Sequence, residues 1–266
     1  MFQVPYLIEI LTPKRGSPGT VGEDMQRFAE RYSTILAAGC GISVPDNPMG
    51  QPRYSALDAI HHGKLPVRPD RMVLNLNTFH TKAELERLLT DATRAGVRLL
   101  LVVRGDGGPQ LPKLDPKLIG GSKTVTTSSD LIRYIHAQYP GLFITGASFN
   151  QYNPMDFEIA KLRQKIEAGA KFVITQPVIG RDPNVEPLKQ FDLPVVIEAW
   201  MSKNVALLLK SVRKPESGEA AAYDPVGNLK TLHELYPGNC VYLSMLGFKQ
   251  DWKAVLPRLA SKTMDP

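Results

Sequence analysis

The run VRLLLVVRGDGGP, residues 97–109, decides how the chain folds. Its first part is almost unbroken Leu and Val. That is the pattern of a strand buried on both faces, and such a strand belongs to a parallel sheet covered by helices. Arg104, Gly105 and Asp106 then stand at the strand's carboxyl end, where parallel α/β folds bind ligands. Arg104 offers a fork of donors for phosphate or carboxylate, Gly105 allows close backbone approach, and Asp106 offers an acceptor or a proton. The plainer alternative is a βα loop in which Arg104 and Asp106 pair with each other.

Outward from this run, strand-like and helix-like segments alternate along the whole chain. The spacing predicts strands over residues 6–11, 41–44, 72–76, 142–146, 172–175, 194–198 and 241–244. It predicts helices over 20–38, 54–61, 155–168, 228–236 and 249–260. Three more helices should start at a capping side chain: Thr81, with Glu84 completing a capping box, Ser129, and Ser202. Residues 107–127 form a long Pro-, Gly-, Lys- and Ser-rich loop, the pattern of a functional lid or a disordered segment. Residues 214–225 look like a surface excursion. About eight strand–helix units in 266 residues, with no break in composition, imply a single-domain TIM (β/α)8 barrel over residues 1–266. A doubly wound open sheet is the alternative. Against it, no G-x-G-x-x-G follows the first strand and no phosphate-binding loop motif is present.

Composition narrows the function classes. Hydrophobic content of 43% and charged content of 22% suit an ordinary soluble globular protein. Net charge is +6 with pI near 9.2, but the charges are scattered. That fits a polyanionic small ligand and argues against a nucleic-acid partner. No apolar stretch has the ~20 residues of a membrane span, and the first residues lack the basic start and cleavage site of a secretory leader. Cys40 and Cys240 stand alone and read as buried thiols of a cytoplasmic protein. The five histidines show no metal-ligand spacing, so no metal is expected.

In a barrel, the strands' carboxyl ends converge on one site. These ends carry Glu9, Thr12, Asp46, Asn47, Asn77, Arg104, Asp106, Ser148, Asn150, Gln176, Glu198, Trp200 and Ser244. A barrel built only for structure would not need a polar group on almost every strand. Glu9, set within LIEIL, would have a raised pKa if it points inward and could donate a proton near neutral pH; otherwise it is a buried carboxylate paired with a base. Gln176 suits hydrogen bonding to a heterocycle, or satisfies nearby backbone. Lys165, in a charged helix, reads as solvated, and His80 as a loop residue beside a helix cap. Trp200 could stack on a ligand ring or cap the barrel.

Four motifs in order now form a pattern: LIEILTPKRG, TKAELERLLTDATRAGVRLLLVVRGDGG, SSDLIRYI and LRQKIEAGAKFVITQPV. Together the chain resembles the methylenetetrahydrofolate reductase family, barrels that bind FAD and reduced folate. The resemblance implies an oxidoreductase of one-carbon metabolism that interconverts 5,10-methylene- and 5-methyltetrahydrofolate, with hydride from NAD(P)H by way of flavin. It implies that Glu9 protonates the folate's bridging nitrogen and that Asp106 sits beside flavin and pterin, tuning the flavin and contacting the folate. It gives Gln176 to the pterin, and Arg104, Gly105, Asp106, Ala147 and Lys165 to the flavin. A homo-oligomer is compatible with it. The chain departs from the family's pattern at Pro45-Asp46, at Leu74-Asn75, at Thr127, and over residues 149–154; several groups lost there contact FAD in the family. Two further functions compete. One is a flavin-free enzyme of the same fold, either a direct nicotinamide-dependent reductase or a methyltetrahydrofolate-dependent methyltransferase. The other is a non-catalytic subunit, against which intact Glu9, Asp106 and Gln176 argue.

Overall fold

The computed structural model describes residues 1–16, 19–212 and 223–260. Eight strands form one closed, all-parallel barrel in chain order: β1 (Tyr6–Glu9), β2 (Gly41–Val44), β3 (Met72–Leu76), β4 (Leu99–Val102), β5 (Ile144–Phe149), β6 (Phe172–Pro177), β7 (Val195–Trp200) and β8 (Val241–Ser244). Closure comes from β1 against β8, with Leu7 opposite Tyr242. The (β/α)8 barrel expected from the alternation is the fold. Outside it run α1 (Val21–Ala37), α2 (Ala56–His62), α3 (Lys82–Arg94), α4 (Ser128–Gln138), α5 (Met155–Glu167), α6 (Val205–Ser211), α7 (Pro225–Leu235), α8 (Trp252–Val255) and α9 (Pro257–Ala260). None of the described helices is long and apolar enough to cross a membrane.

Successive residues of a strand face opposite sides of the sheet, and the core divides accordingly. One buried cluster holds Leu7, Val73, Leu99, Leu101, Phe172, Ile174, Val196, Cys240 and Tyr242; this is the barrel interior. The larger cluster, including Ile8, Ile42, Leu74, Leu100, Ala147, Val173 and Leu243, lies between strands and helices. The interior is filled by pairing large with small. A Cβ on Gly146 would stand 2.1 Å from the Phe172 ring, so glycine there makes room for the phenyl group.

Several boundaries differ from the expected ones. β5 starts at Ile144 and continues to Phe149, because Ala147 pairs with Val102 and Phe149 with Thr175; a neighbour on each side extends the strand. The cap of α4 is Thr127, not Ser129: Thr127 and Asp130 close a capping box, leaving Ser129 inside the first turn. The cap of α6 is Asn204, whose side chain accepts from the Leu207 N–H, while Ser202 accepts from Asn204 one step earlier. Thr81 does cap α3, but the Glu84 carboxylate turns to His80, 3.5 Å away, instead of closing a box. α7 begins at Pro225 because Asp224 caps it. The closing helix breaks at Pro257, where the ring clashes with the preceding turn and Leu256 is extended. The long loop after β4 is packed down: Leu114 and Ile119 are buried, and Thr126 donates to the Leu114 carbonyl at 2.6 Å. Most of the surface excursion expected over 214–225 lies outside the described residues.

Candidate active site

The two-residue period that turns Leu7 inward turns Glu9 inward as well. The same parity points Ser43, Asn75, Ser148, Gln176 and Glu198 into the barrel above its apolar layer, and Tyr242, itself in that layer, reaches up to Glu9 with its hydroxyl. Glu9, Asn75, Ser148, Gln176 and Glu198 are each partly open to solvent, although most of their strand neighbours are buried. The open space is therefore a hollow at the barrel's carboxyl mouth, walled by polar groups from separate strands. A second cleft, about 930 Å³, opens on the flank beside Tyr54, Leu57, His61, Lys64 and Arg94. Its two acids, Asp58 and Asp91, are both spent on Arg87.

Within the mouth, Tyr242 donates its hydroxyl to Glu9 Oε2 at 2.8 Å. Glu198 stands opposite Tyr242 in the β7–β8 register. Neither carboxyl has an ion-pair partner within 4 Å among the described residues. Burial pushes the Glu9 pKa up, opposed by the Tyr242 hydroxyl, the Met245 N–H and the Arg53 charge at longer range. The Arg53 guanidinium is itself turned to the Thr12 carbonyl. Burial, then the charge of Glu9, pushes Glu198 up to about 8. Both acids therefore favour the protonated form much more than surface carboxylates do. The Gln176 side-chain amide makes no hydrogen bond to another described residue; only its backbone is engaged, by Gln151. An open, unpartnered amide and acids with raised pKa values facing one hollow can bind a planar heterocycle and deliver a proton to it.

The other tips serve the scaffold. Asp46 accepts from the Asn77 N–H at 2.9 Å and from His80 at 2.7 Å, and Asn77 caps Phe79. Thr12 donates to the Tyr54 carbonyl, and Trp200 packs on Leu208 and Val212 and donates to the Asn204 carbonyl. Asn150 folds back on its own turn by accepting from Tyr152. His80 is a loop residue beside the Thr81 cap, as expected, and it is buried between Asp46 and Glu84, whose pull outweighs desolvation and raises its pKa to about 9.

The Arg-Gly-Asp corner lies on the rim of the mouth. Asp106 is exposed and accepts from the Met49 N–H at 2.7 Å, tying the end of β4 to the loop after β2. Gly105 has φ +83°, and a Cβ there would stand 2.8 Å from Asn77. In this structure the glycine meets its own scaffold. Arg104 is exposed, and the alternative pairing of Arg104 with Asp106 is not formed. Lys165 is buried rather than solvated. Its ammonium donates to the Ser148 carbonyl at 2.6 Å, and desolvation lowers its pKa to about 8 against the pull of Glu158. Ala147 is fully buried in the outer core, so its side chain does not reach the hollow. Glu9, Gln176 and Asp106 do share the carboxyl end, with Asp106 on the rim. Sequence reasoning missed Ser43, Asn75 and Tyr242 as wall residues. Counting in twos back from Ser244, or across from Glu9, would have found Tyr242.

A family model described as methylenetetrahydrofolate reductase matches residues 12–186. No curated protein matches. Among solved structures, the chain is similar to dihydropteroate synthase from Thermus thermophilus in complex with 4-aminobenzoate (12% identity, 98% of this chain and 95% of that one, TM-score 0.48). It is similar to a dihydropteroate synthase from Coxiella burnetii in complex with pteroic acid (11%, 99% and 93%, 0.48). It is also similar to 2-keto-3-deoxy-6-phospho-gluconate aldolase from Zymomonas mobilis (15%, 96% and 90%, 0.47). At these identities and scores the likenesses add nothing to the barrel already described.

Proposed function

The chain belongs to the methylenetetrahydrofolate reductase family, and on that footing we propose that it interconverts 5,10-methylene- and 5-methyltetrahydrofolate, with Glu9 as the acid. The observation that carries this is the inward Glu9, whose pKa burial raises, in a hollow it shares with the unpartnered amide of Gln176. Opening the methylene bridge needs a proton on the departing nitrogen and leaves an iminium carbon. Glu9 supplies that proton and becomes a carboxylate, which the Tyr242 hydroxyl and the Met245 N–H stabilise by donation. Gln176 holds the pterin edge, which fixes the reacting carbon at the mouth. Reduced nicotinamide supplies the hydride that the iminium carbon takes up.

The family's flavin is a separate question. Of the five residues that the resemblance gives to FAD, Arg104 is exposed on the rim, but Gly105 packs on Asn77, Lys165 is held by Ser148, Ala147 faces the outer core, and Asp106 is engaged by Met49. That set does not fit a flavin cradle, and no step here runs through one. The same observations favour a second reading within the proposal, direct hydride transfer from nicotinamide. The test is turnover of methylenetetrahydrofolate with reduced nicotinamide by wild type and Glu9→Gln, beside binding of 5-methyltetrahydrofolate to both. Binding kept with turnover lost supports the reading, and equal turnover ends it.

A further inference from the structure

We propose that Gln151, buried behind the wall of the mouth, is the positioning residue that holds the Gln176 amide in the hollow. The hold itself stands on geometry; its use in substrate binding rests on the function proposed above.

Strand alternation does not suffice to aim Gln176. On β6 the inward Ile174 is in register with Val196 of β7, and the next pair is Pro177 with Glu198. Three steps along β6 thus match two along β7, which is a bulge. An extra residue of this kind can turn the side chains that follow to the opposite face. On the other side β5 stops at Phe149, opposite Thr175, one residue short of Gln176. Gln176 is therefore in register with a residue of neither neighbouring strand.

The side chain of Gln151 takes the missing place. Its Oε1 accepts from the Gln176 N–H at 3.1 Å, and its Nε2 donates to the Gln176 carbonyl at 2.8 Å and to the Pro177 carbonyl at 3.1 Å. Reversing this amide would set its oxygen against two carbonyls and its NH2 against an N–H, so its partners fix its orientation. Both backbone polar groups of Gln176 are engaged this way, and its side chain is left for the hollow. Gln151 is 1% exposed and meets no ligand itself. It is anchored in turn: Asn184 donates to its carbonyl at 3.0 Å, and the adjoining Tyr152 donates its hydroxyl to the Pro177 carbonyl at 2.6 Å. The Gln176 amide is thus aimed before a ligand arrives, which lowers the ordering cost of binding.

Two measurements test this. Amide exchange needs no ligand. The Gln176 N–H should exchange at least about tenfold faster in Gln151→Met, which keeps the length of the side chain and removes its hydrogen bonds. Equal rates overturn the proposal. The second is a cycle of 5-methyltetrahydrofolate binding over Gln151→Met, Gln176→Ala and the two together. Gln151→Met alone should weaken binding by about tenfold, the scale of one lost hydrogen bond. In the Gln176→Ala background the same change should weaken it by less than about twofold, because the group it acts through is gone. Equal weakening in both backgrounds makes Gln151 merely structural and overturns the proposal, as does no weakening in either. Should Gln151→Met not fold, Gln151→Glu carries the same cycle. At about pH 6, where burial keeps the new carboxyl protonated, it can still accept from the Gln176 N–H and donate to one carbonyl. Ionised, it faces two carbonyl oxygens with no hydrogen to give. Its binding should stay within a few-fold of wild type at the lower pH and then fall more steeply than wild type as pH rises. A fall that persists after Gln176→Ala is added overturns the proposal. Wild type that protects the Gln176 N–H but does not bind 5-methyltetrahydrofolate would sink the function proposed above and leave the hold of Gln151 on Gln176 standing.

Discussion

His80 Nε2 lies 2.7 Å from Asp46 Oδ2, and this buried ion pair ties the loop after β3 to the loop after β2. The same Asp46 oxygen accepts from the Asn77 N–H, so one carboxylate fixes two strand ends beside the mouth. Glu84, at 3.5 Å from His80 Nδ1, flanks the imidazolium from α3.

His80→Gln should therefore cost about 3 kcal/mol, the scale for breaking a buried ion pair and leaving one charge behind. Urea unfolding at pH 7 measures it. The folded pKa of about 9 lies above the ordinary histidine value of 6.5. The stabilisation is thus complete below pH 6.5 and is lost as pH rises through 9, and the gap between variant and wild type should close toward pH 10. A gap that stays constant would mean that the imidazole is neutral.

Glu198 has the opposite effect on folding. Its folded pKa, about 8, lies above the ordinary glutamate value of 4.5. Between these values the unfolded chain binds fewer protons than the folded one, so this group lowers stability as pH rises from 4.5 to 8. Glu198→Gln should melt higher than wild type at pH 8 and together with it near pH 4. Coincident melting curves at both values would show that the side chain is solvated.

Glu9→Gln should lower turnover by roughly 10²–10⁴-fold, the range for removing a general acid. Binding of 5-methyltetrahydrofolate should change by less than about tenfold, because the amide keeps the shape of the side chain. Steady-state kinetics beside calorimetric titration separates the two.

Gly105→Ala should cost about 1–3 kcal/mol, because φ at this residue is +83° and a methyl group would press on Asn77 at 2.8 Å. Since Gly105 precedes Asp106, the Met49–Asp106 bond should loosen with it. Amide exchange at Met49 reports this, and an unchanged rate would show that the corner tolerates the methyl group.

Purified protein should show no visible flavin band and should turn over with reduced nicotinamide alone, because Lys165 and Ala147 are committed elsewhere. A yellow protein whose activity tracks its flavin content would restore the flavin route.

The sequence determined the barrel. Apolar runs such as LLLV of β4 can be satisfied only by burial on both faces, and their alternation with capped amphipathic helices leaves few topologies. It also brought polar residues to the carboxyl end, because strand ends are local features of the chain. What it could not set is which tips enter the hollow. Glu9, Gln176 and Glu198 turn inward while Asp46, Asn77 and Trp200 are consumed by the scaffold, and a one-residue change in register would exchange the two faces. Lys165 and His80 show the same limit. Lys165 lies in a charged helix and His80 beside a helix cap, but helix and loop packing buries one against Ser148 and the other between two acids. The meeting of Glu9 with Tyr242 spans 233 positions of sequence. Only closure of β8 onto β1 brings them together, because the partner of each is set by the ring and not by the chain.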